Sequence, residues 1–178
     1  MKDVLPSLVN ENQIAYVKGR FISEGGRLIS DIIESTDIFQ KSGYLFTVDI
    51  EKAFDSVNHV FLIAVLEHFG FGQSFIKWIK IMLKNQESCV INGGKTSKYF
   101  KLERGTRQED PISAYLFILV LEIVFIMIKT NKLIKGLSLF DYEFLYTACA
   151  DDTTFFLTNE KSVTEVMKSF DNFSLFSG

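Results

Sequence analysis

The order of elements in this chain predicts an α+β domain, a mostly antiparallel sheet that carries helices on one face. Three observations carry that expectation. The run YLFTVDI at 44–50 is short, apolar and preceded by glycine, which reads as a buried strand. The stretch 111–131 is apolar nearly all round, which reads as a central, buried helix. Two β-prone runs, 144–149 and 153–157, flank the adjacent acids Asp151 and Asp152 and read as the arms of a tight hairpin.

Composition narrows the class. At 178 residues and 47% hydrophobic, the chain builds a sizeable core and is not disordered. A net charge of −3 argues against a generic basic nucleic-acid binder, so any such contact belongs to local patches. Cys89 and Cys149 are far apart and lack a Cys-x-x-Cys or His partner spacing, which fits an intracellular, reducing compartment. No signal peptide is visible. The most apolar run, 114–128, is interrupted by Glu122 and falls short of the roughly 18 residues of a spanning helix, so it reads as a core helix and no membrane is expected.

The remaining elements follow in order. Residues 1–20 read as polar and irregular, and Lys18, Arg20 and Arg27 form a small basic cluster beside Gly19, Gly25 and Gly26. That cluster is a solvated loop or a phosphate-contacting one, the former being the simpler reading. Residues 26–40 have helical spacing. Asn58 caps a helix running to about Phe69. A second helix at 74–84 places Phe75, Trp78, Ile79 and Met82 on one face. Asn92-Gly93 between β-prone runs is the strongest hairpin signal, in the most basic neighbourhood of the chain: Lys95, Lys98, Lys101, Arg104 and Arg107. An edge hairpin kept soluble by lysines and a nucleic-acid contact are both open there. Asp110 and Pro111 start the central helix. A short strand at 136–140 leads to the Asp-Asp hairpin. A final helix at 162–176 turns Val163, Val166, Met167, Phe170 and Phe173 inward.

Two adjacent carboxylates repel, and burial raises their pKa values; a divalent cation removes both problems. A solvated Asp-Asp turn is the bland alternative. The predicted sheet brings the end of the strand at 44–50 beside the hairpin turn, so Asp49, Asp151 and Asp152 converge. Three carboxylates on strand ends hold two Mg²⁺ ions, which suit in-line phosphoryl displacement. A two-metal hydrolase uses the same acids but usually adds His ligands, and neither His59 nor His68 is placed for that.

Three blocks then appear in one order. FTVDIEKAFDSV (46–57), RGTRQEDPISAYLFIL (104–119) and CADD (149–152) resemble the palm motifs of reverse transcriptases of the non-LTR retrotransposon type. NQIAYVKGRFISEGGRLISDII (12–33) is similar to that family's approach from fingers to palm. The resemblance implies a polymerase palm-like sheet at 44–178, preceded at 1–43 by a partial fingers region. It implies RNA-templated DNA synthesis from an RNA template, a DNA primer and deoxynucleoside triphosphates. It implies Mg²⁺, with Mn²⁺ as a substitute, on Asp49, Asp151, Asp152 and the Ile50 carbonyl. Phe54 would lie under the sugar and exclude a 2′-hydroxyl, with Gln108 and Arg107 near the incoming nucleotide and template. Without the resemblance, Phe54 reads as packing.

Two positions depart from the family pattern: Glu109 where it has Gly, and Cys149 where it has Tyr or Phe. The N-terminal fingers, the primer grip and the thumb fall outside 1–178, so the chain reads as a core truncated at both ends, from a decayed mobile element and inactive in isolation. The competing readings are a non-catalytic remnant that binds RNA or protein, and a membrane or interaction protein organised on the 114–128 helix.

Overall fold

The computed structural model describes residues 1–107 and 110–178; Gln108 and Glu109, singled out above, lie outside the described residues. Its centre is a three-stranded antiparallel sheet of β1 (Tyr44–Val48), β9 (Asp152–Leu157) and β8 (Tyr146–Cys149), in the order β1-β9-β8. Alternation assigns the faces. Phe46 and Val48 of β1 pair with Phe155 and Thr153 of β9, which pair in turn with Tyr146 and Ala148 of β8. These residues point toward α6 (Ser113–Thr130) and α7 (Glu160–Ser177), and Tyr146 stacks on Phe125 of α6 with ring centroids 4.6 Å apart. Helix α6 is long and apolar enough to cross a membrane by composition alone, yet most of its residues are buried inside this fold. It is the core helix the sequence predicts.

The opposite face of the sheet carries α2 (Ile22–Ile38), whose Ile32 packs with Phe156 and with Leu137 and Leu139 of β6 (Leu137–Leu139). Strand β6 pairs with β7 (Tyr142–Phe144). Helices therefore lie on both faces, α2 covering only the part away from the strand tips. Helix α2 starts four residues earlier than its spacing predicts, with Gly25 and Gly26 inside it. Glu24 caps it by accepting from the Phe21 N–H at 3.1 Å. A Cβ at Gly25 would meet Ile14 Cδ1 at 2.6 Å and Thr147 Oγ1 at 3.2 Å, so this glycine lets α2 approach β8. It is a packing glycine, not a loop one.

Around this frame stand α1 (Leu5–Leu8), α3 (Ala53–Ser56), α4 (His59–His68) and α5 (Gln73–Leu83). Asn58 caps α4 as expected, accepting from the Val60 and Phe61 N–H groups. Helix α5 buries Ile76 and Ile79, leaving Trp78 66% and Met82 43% exposed, so the inward face is turned from the one predicted. Met167 of α7 likewise faces out, while Val166 and Phe173 are buried. Strand β1 is an edge strand, with Tyr44 and Leu45 about half exposed, rather than a buried one. The basic segment holds two short ladders, β2 (Glu87–Ser88) with β5 (Phe100–Lys101) and β3 (Ile91–Asn92) with β4 (Lys95–Thr96). Its turn is Gly93-Gly94, both at positive φ, with Asn92 in the strand rather than in the loop.

Candidate active site

Asp49, Asp151 and Asp152 lie at one end of the central sheet. Val48–Thr153 is the last pair of the β1–β9 ladder; Asp49 follows Val48 in the chain and Asp152 precedes Thr153, so both lie at the same end of the sheet. Asp152 in turn pairs with Cys149. By alternation Asp152 and Cys149 point away from α6 and α7. Asp49 and Asp152 are exposed, and Asp151 is half-buried in the turn between β8 and β9. Only Asp151 lies in the turn, since Asp152 already begins β9. Burial pushes the Cys149 thiol pKa up, with the charges of Asp152 and then Asp151 adding to it, which places the thiol among both acids. Among the described residues, no group of three His, Cys, Asp or Glu side chains stands close enough to hold a metal as it is. The donor chemistry of three carboxylates suits an oxygen-seeking divalent cation, and like charges near one another in a sheet are otherwise destabilising.

The turn itself is unusual. Its first residue, Ala150, has φ 58° and is buried, although it is not glycine. A left-handed Ala is strained by roughly 1–2 kcal/mol. Gln13, fully buried, meets it: Oε1 accepts from the Ala150 N–H at 2.9 Å and Nε2 donates to the Ala150 carbonyl at 3.3 Å. Residues 12–14 also run along β8, with Ile14 N–H donating to Ala148 O and Ala148 N–H to Asn12 O, both at 2.8 Å. Arg20 secures this strap by donating to the carbonyls of Pro6, Val9, Asn10 and Gln13 at 2.5–3.5 Å. Glu122 of α6 accepts from the Asn10 N–H at 3.1 Å. The first twenty residues are thus an ordered strap that buries Leu5, Val9, Gln13, Ile14, Ala15 and Val17, not an irregular polar loop, and Arg20 serves the backbone. Lys18 pairs with Asp3 and Arg27 with Asp31. Gln13 had no signal beyond the apolar Ile14, Ala15 and Val17 that follow it, all of which are buried.

The first and second motifs are stitched together beside this tip. The Gly105 N–H donates to Val57 O at 2.8 Å and the Thr106 N–H to Phe54 O at 2.7 Å. His59 Nε2 meets the Gly105 carbonyl at 2.8 Å, so this histidine is structural. Gly105 has φ 86°, and a Cβ there would lie 2.8 Å from the Asp55 carbonyl oxygen, so only glycine allows the two segments to approach. Phe54 packs its ring 4.5 Å from that of Phe117 and also lines a cavity of about 620 Å³ with Tyr16, Asp110, Pro111, Ser113, Ala114 and Tyr115. That volume is in the range of small-molecule sites. Asp110 accepts from the Ile112 N–H at 3.0 Å, and α6 begins two residues after Pro111. Arg107 lines a separate recess of about 20 Å³ with Ile79, Met82 and Leu83. Asp49 and Ile50 also border a hollow of about 250 Å³ beneath β1, walled mostly by apolar side chains of α6 and α7 and reaching Asp171 rather than the other two acids.

An antiparallel sheet whose central hairpin carries adjacent acids, backed by two helices, has the architecture of a polymerase palm. The family model for reverse transcriptase (RNA-dependent DNA polymerase) matches residues 1–178, and the chain belongs to that family. It is 31% identical over 154 residues to the "Transposon TX1 uncharacterized 149 kDa protein" of Xenopus laevis, covering 85% of this chain and 12% of that protein. It is 30% identical over 82 residues to the "Retrovirus-related Pol polyprotein from type-2 retrotransposable element R2DM" of Drosophila melanogaster, covering 46% of this chain and 8% of that one. In fold it is similar to a telomerase from Candida tropicalis, with a TM-score of 0.60 at 11% identity over 97% of this chain and 36% of that chain. The chain therefore spans a small part of these relatives. Its relatives place it with non-LTR retrotransposon proteins, in a family that is generally metal-dependent.

Proposed function

We propose that residues 44–178 form the catalytic palm of an RNA-templated DNA polymerase, with residues 1–43 as its approach from the fingers. The observation that supports this reading is the β1–β9 ladder ending at Val48–Thr153, which brings Asp49 and the Asp151–Asp152 turn to one end of the sheet. Asp49, Asp151, Asp152 and the Ile50 carbonyl would hold Mg²⁺, or Mn²⁺ in its place. A metal held by these groups would supply Lewis acidity, lowering the pKa of a primer 3′-hydroxyl and offsetting charge on the triphosphate. Phe54, on the wall of the 620 Å³ cavity, supports a role as the base of the sugar site. Its contact with Phe117 holds the ring in place, so packing there does not compete with the proposed gating role. Lys95, Lys98, Lys101 and Arg104 are all exposed on the segment leading to the second motif, where they would meet template or primer phosphates. Gln108 and Arg107 remain candidates for the nucleotide and template.

The test uses a chimera that joins residues 1–178 to the fingers and thumb of an active family member, given RNA template, DNA primer and deoxynucleotides. Asp152→Asn should lower Mg²⁺-dependent extension on the order of 10³-fold or more, because metal positioning is most of the catalysis. Phe54→Val should raise ribonucleotide incorporation by on the order of tenfold or more, since the discrimination is steric. Template binding without extension by the unmutated chimera would favour a non-catalytic RNA-binding remnant instead.

A further inference from the structure

We infer that Gln13 is a positioning residue for the Asp151–Asp152 turn, and through it for the affinity of the acids for a divalent metal. The second half rests on the metal-binding role proposed for those acids. Gln13 reaches across 137 residues of sequence to bond both polar backbone groups of Ala150, the residue directly before Asp151. Its Oε1 also accepts from the Ala15 N–H at 3.0 Å, so the amide is itself locked to the strap. Its own segment uses only the acceptor, through Ala15, and has no use for the donor. The turn does, because Ala150 is buried, at φ 58°, and has no glycine to relax it. An amide supplies both functions at once; a carboxylate lacks the donor, a thioether lacks both, and Asn is one methylene too short.

A residue that merely satisfies the core would change stability alone. A positioning residue also changes how tightly the carboxylates hold an ion, since groups that orient metal ligands typically matter by 10–100-fold in affinity. Two readouts on residues 1–178 separate these roles: Mn²⁺ titration, and amide hydrogen exchange at Ala150 compared with the amides of α6. Gln13→Met keeps the length and removes both bonds. It should weaken Mn²⁺ binding by about tenfold or more and speed exchange at Ala150 by about tenfold more than in α6. Gln13→Asn keeps the amide and shortens the reach; it should shift both readouts in the same direction by less. If circular dichroism shows that the Met variant has unfolded, the Asn variant decides. Mn²⁺ affinity unchanged within about twofold, with Ala150 exchange following α6, would overturn the inference. Asp152→Asn is run in parallel. If it leaves Mn²⁺ binding intact, the metal role of the acids fails, and the exchange at Ala150 alone then decides whether Gln13 holds the turn.

Discussion

Two hairpins in this molecule have the same length of loop and opposite sources of order. In the β3–β4 hairpin, Asn92 pairs with Lys95 around Gly93-Gly94, both at positive φ and with nothing within 4 Å of either position where a Cβ would stand. That turn is specified by its own residues, as the primed turns of hairpins usually are. In the β8–β9 hairpin, Cys149 pairs with Asp152 around Ala150-Asp151. No glycine helps, and Ala150 is buried at φ 58°. Its shape is set from outside, by Gln13 and the strap behind it. The first hairpin is autonomous and solvent-facing. The second is defined by tertiary contacts and carries the acids. A turn held by the fold, rather than by its own loop, keeps a fixed geometry for as long as the fold persists.

The largest expected difference between them is in pH response. The inner turn depends on a strap anchored at Asn10, whose N–H donates to Glu122. Burial raises the Glu122 pKa from 4.5 to about 7, against the smaller lowering effects of that N–H, Lys129 and Arg20. The fold therefore prefers the neutral acid. Between pH 4.5 and 7 the folded state binds more protons than the unfolded one, so this contribution is full below the lower value and lost as pH rises through the upper. The total is at most about 3 kcal/mol. Chemical denaturation at pH 5 and pH 8 should show lower stability at pH 8. Glu122→Gln, which keeps an acceptor for Asn10, should raise stability at pH 8 and remove most of the slope. An unaltered slope in that variant would place the titration elsewhere and detach the strap from Glu122.

A smaller effect tests the autonomous hairpin. Gly94 sits at φ 75° in open space, so Gly94→Ala meets no neighbour and introduces backbone strain alone. The expected loss is about 1 kcal/mol, a fall of roughly 2–4 °C in Tm for a domain of this size. Exchange of the β8 and β9 amides should be altered no more than the global change requires. Disturbance of the Asp151 or Asp152 amide signals would show that the two hairpins are coupled, and the contrast between them would fail.

The sequence makes some of this legible and hides the rest for identifiable reasons. Helix α6 announces itself because burial on every side leaves an apolar run, and Glu122 within it marks a buried polar contact without naming its partner. The β8–β9 hairpin and the end of β1 are readable because the acids interrupt β-prone runs in the three motifs. The placement of Asp49 at the same end of the sheet as Asp152 then follows from antiparallel pairing. Gln13 is hidden because a polar residue in a polar stretch looks solvated, and its partner lies 137 residues away. Gly25 and Gly26 look like a loop because helix propensity disfavours glycine, whereas close packing on Ile14 and Thr147 demands one. Trp78 misleads for the opposite reason: a large apolar ring fits a helical stripe on paper, but Ile76 and Ile79 take the buried side.

The smallest expected effect is the most discriminating. By local rules Ala150 should be glycine, and Ala150→Gly should then stabilise the protein. Three terms decide otherwise. Relief of left-handed strain favours the variant by roughly 1–2 kcal/mol. The greater freedom of glycine in the unfolded chain opposes it by roughly 0.5–1 kcal/mol. Ala150 is also part of the main core cluster, and losing its buried methyl removes about 0.8 kcal/mol. The sum is near zero, so Tm should move by no more than about 2 °C in either direction. This is the mirror of Gly94→Ala, where no burial term exists to compensate. A gain of more than about 1 kcal/mol would mean that the strain at Ala150 is real and uncompensated. The Gln13 bonds would then be holding a turn against its preference, and the acids would sit on a sprung support. A near-neutral result means that the left-handed turn is already balanced by the methyl's burial. The bonds from Gln13 then serve to keep Ala150, and with it the start of the Asp151–Asp152 turn, in one place.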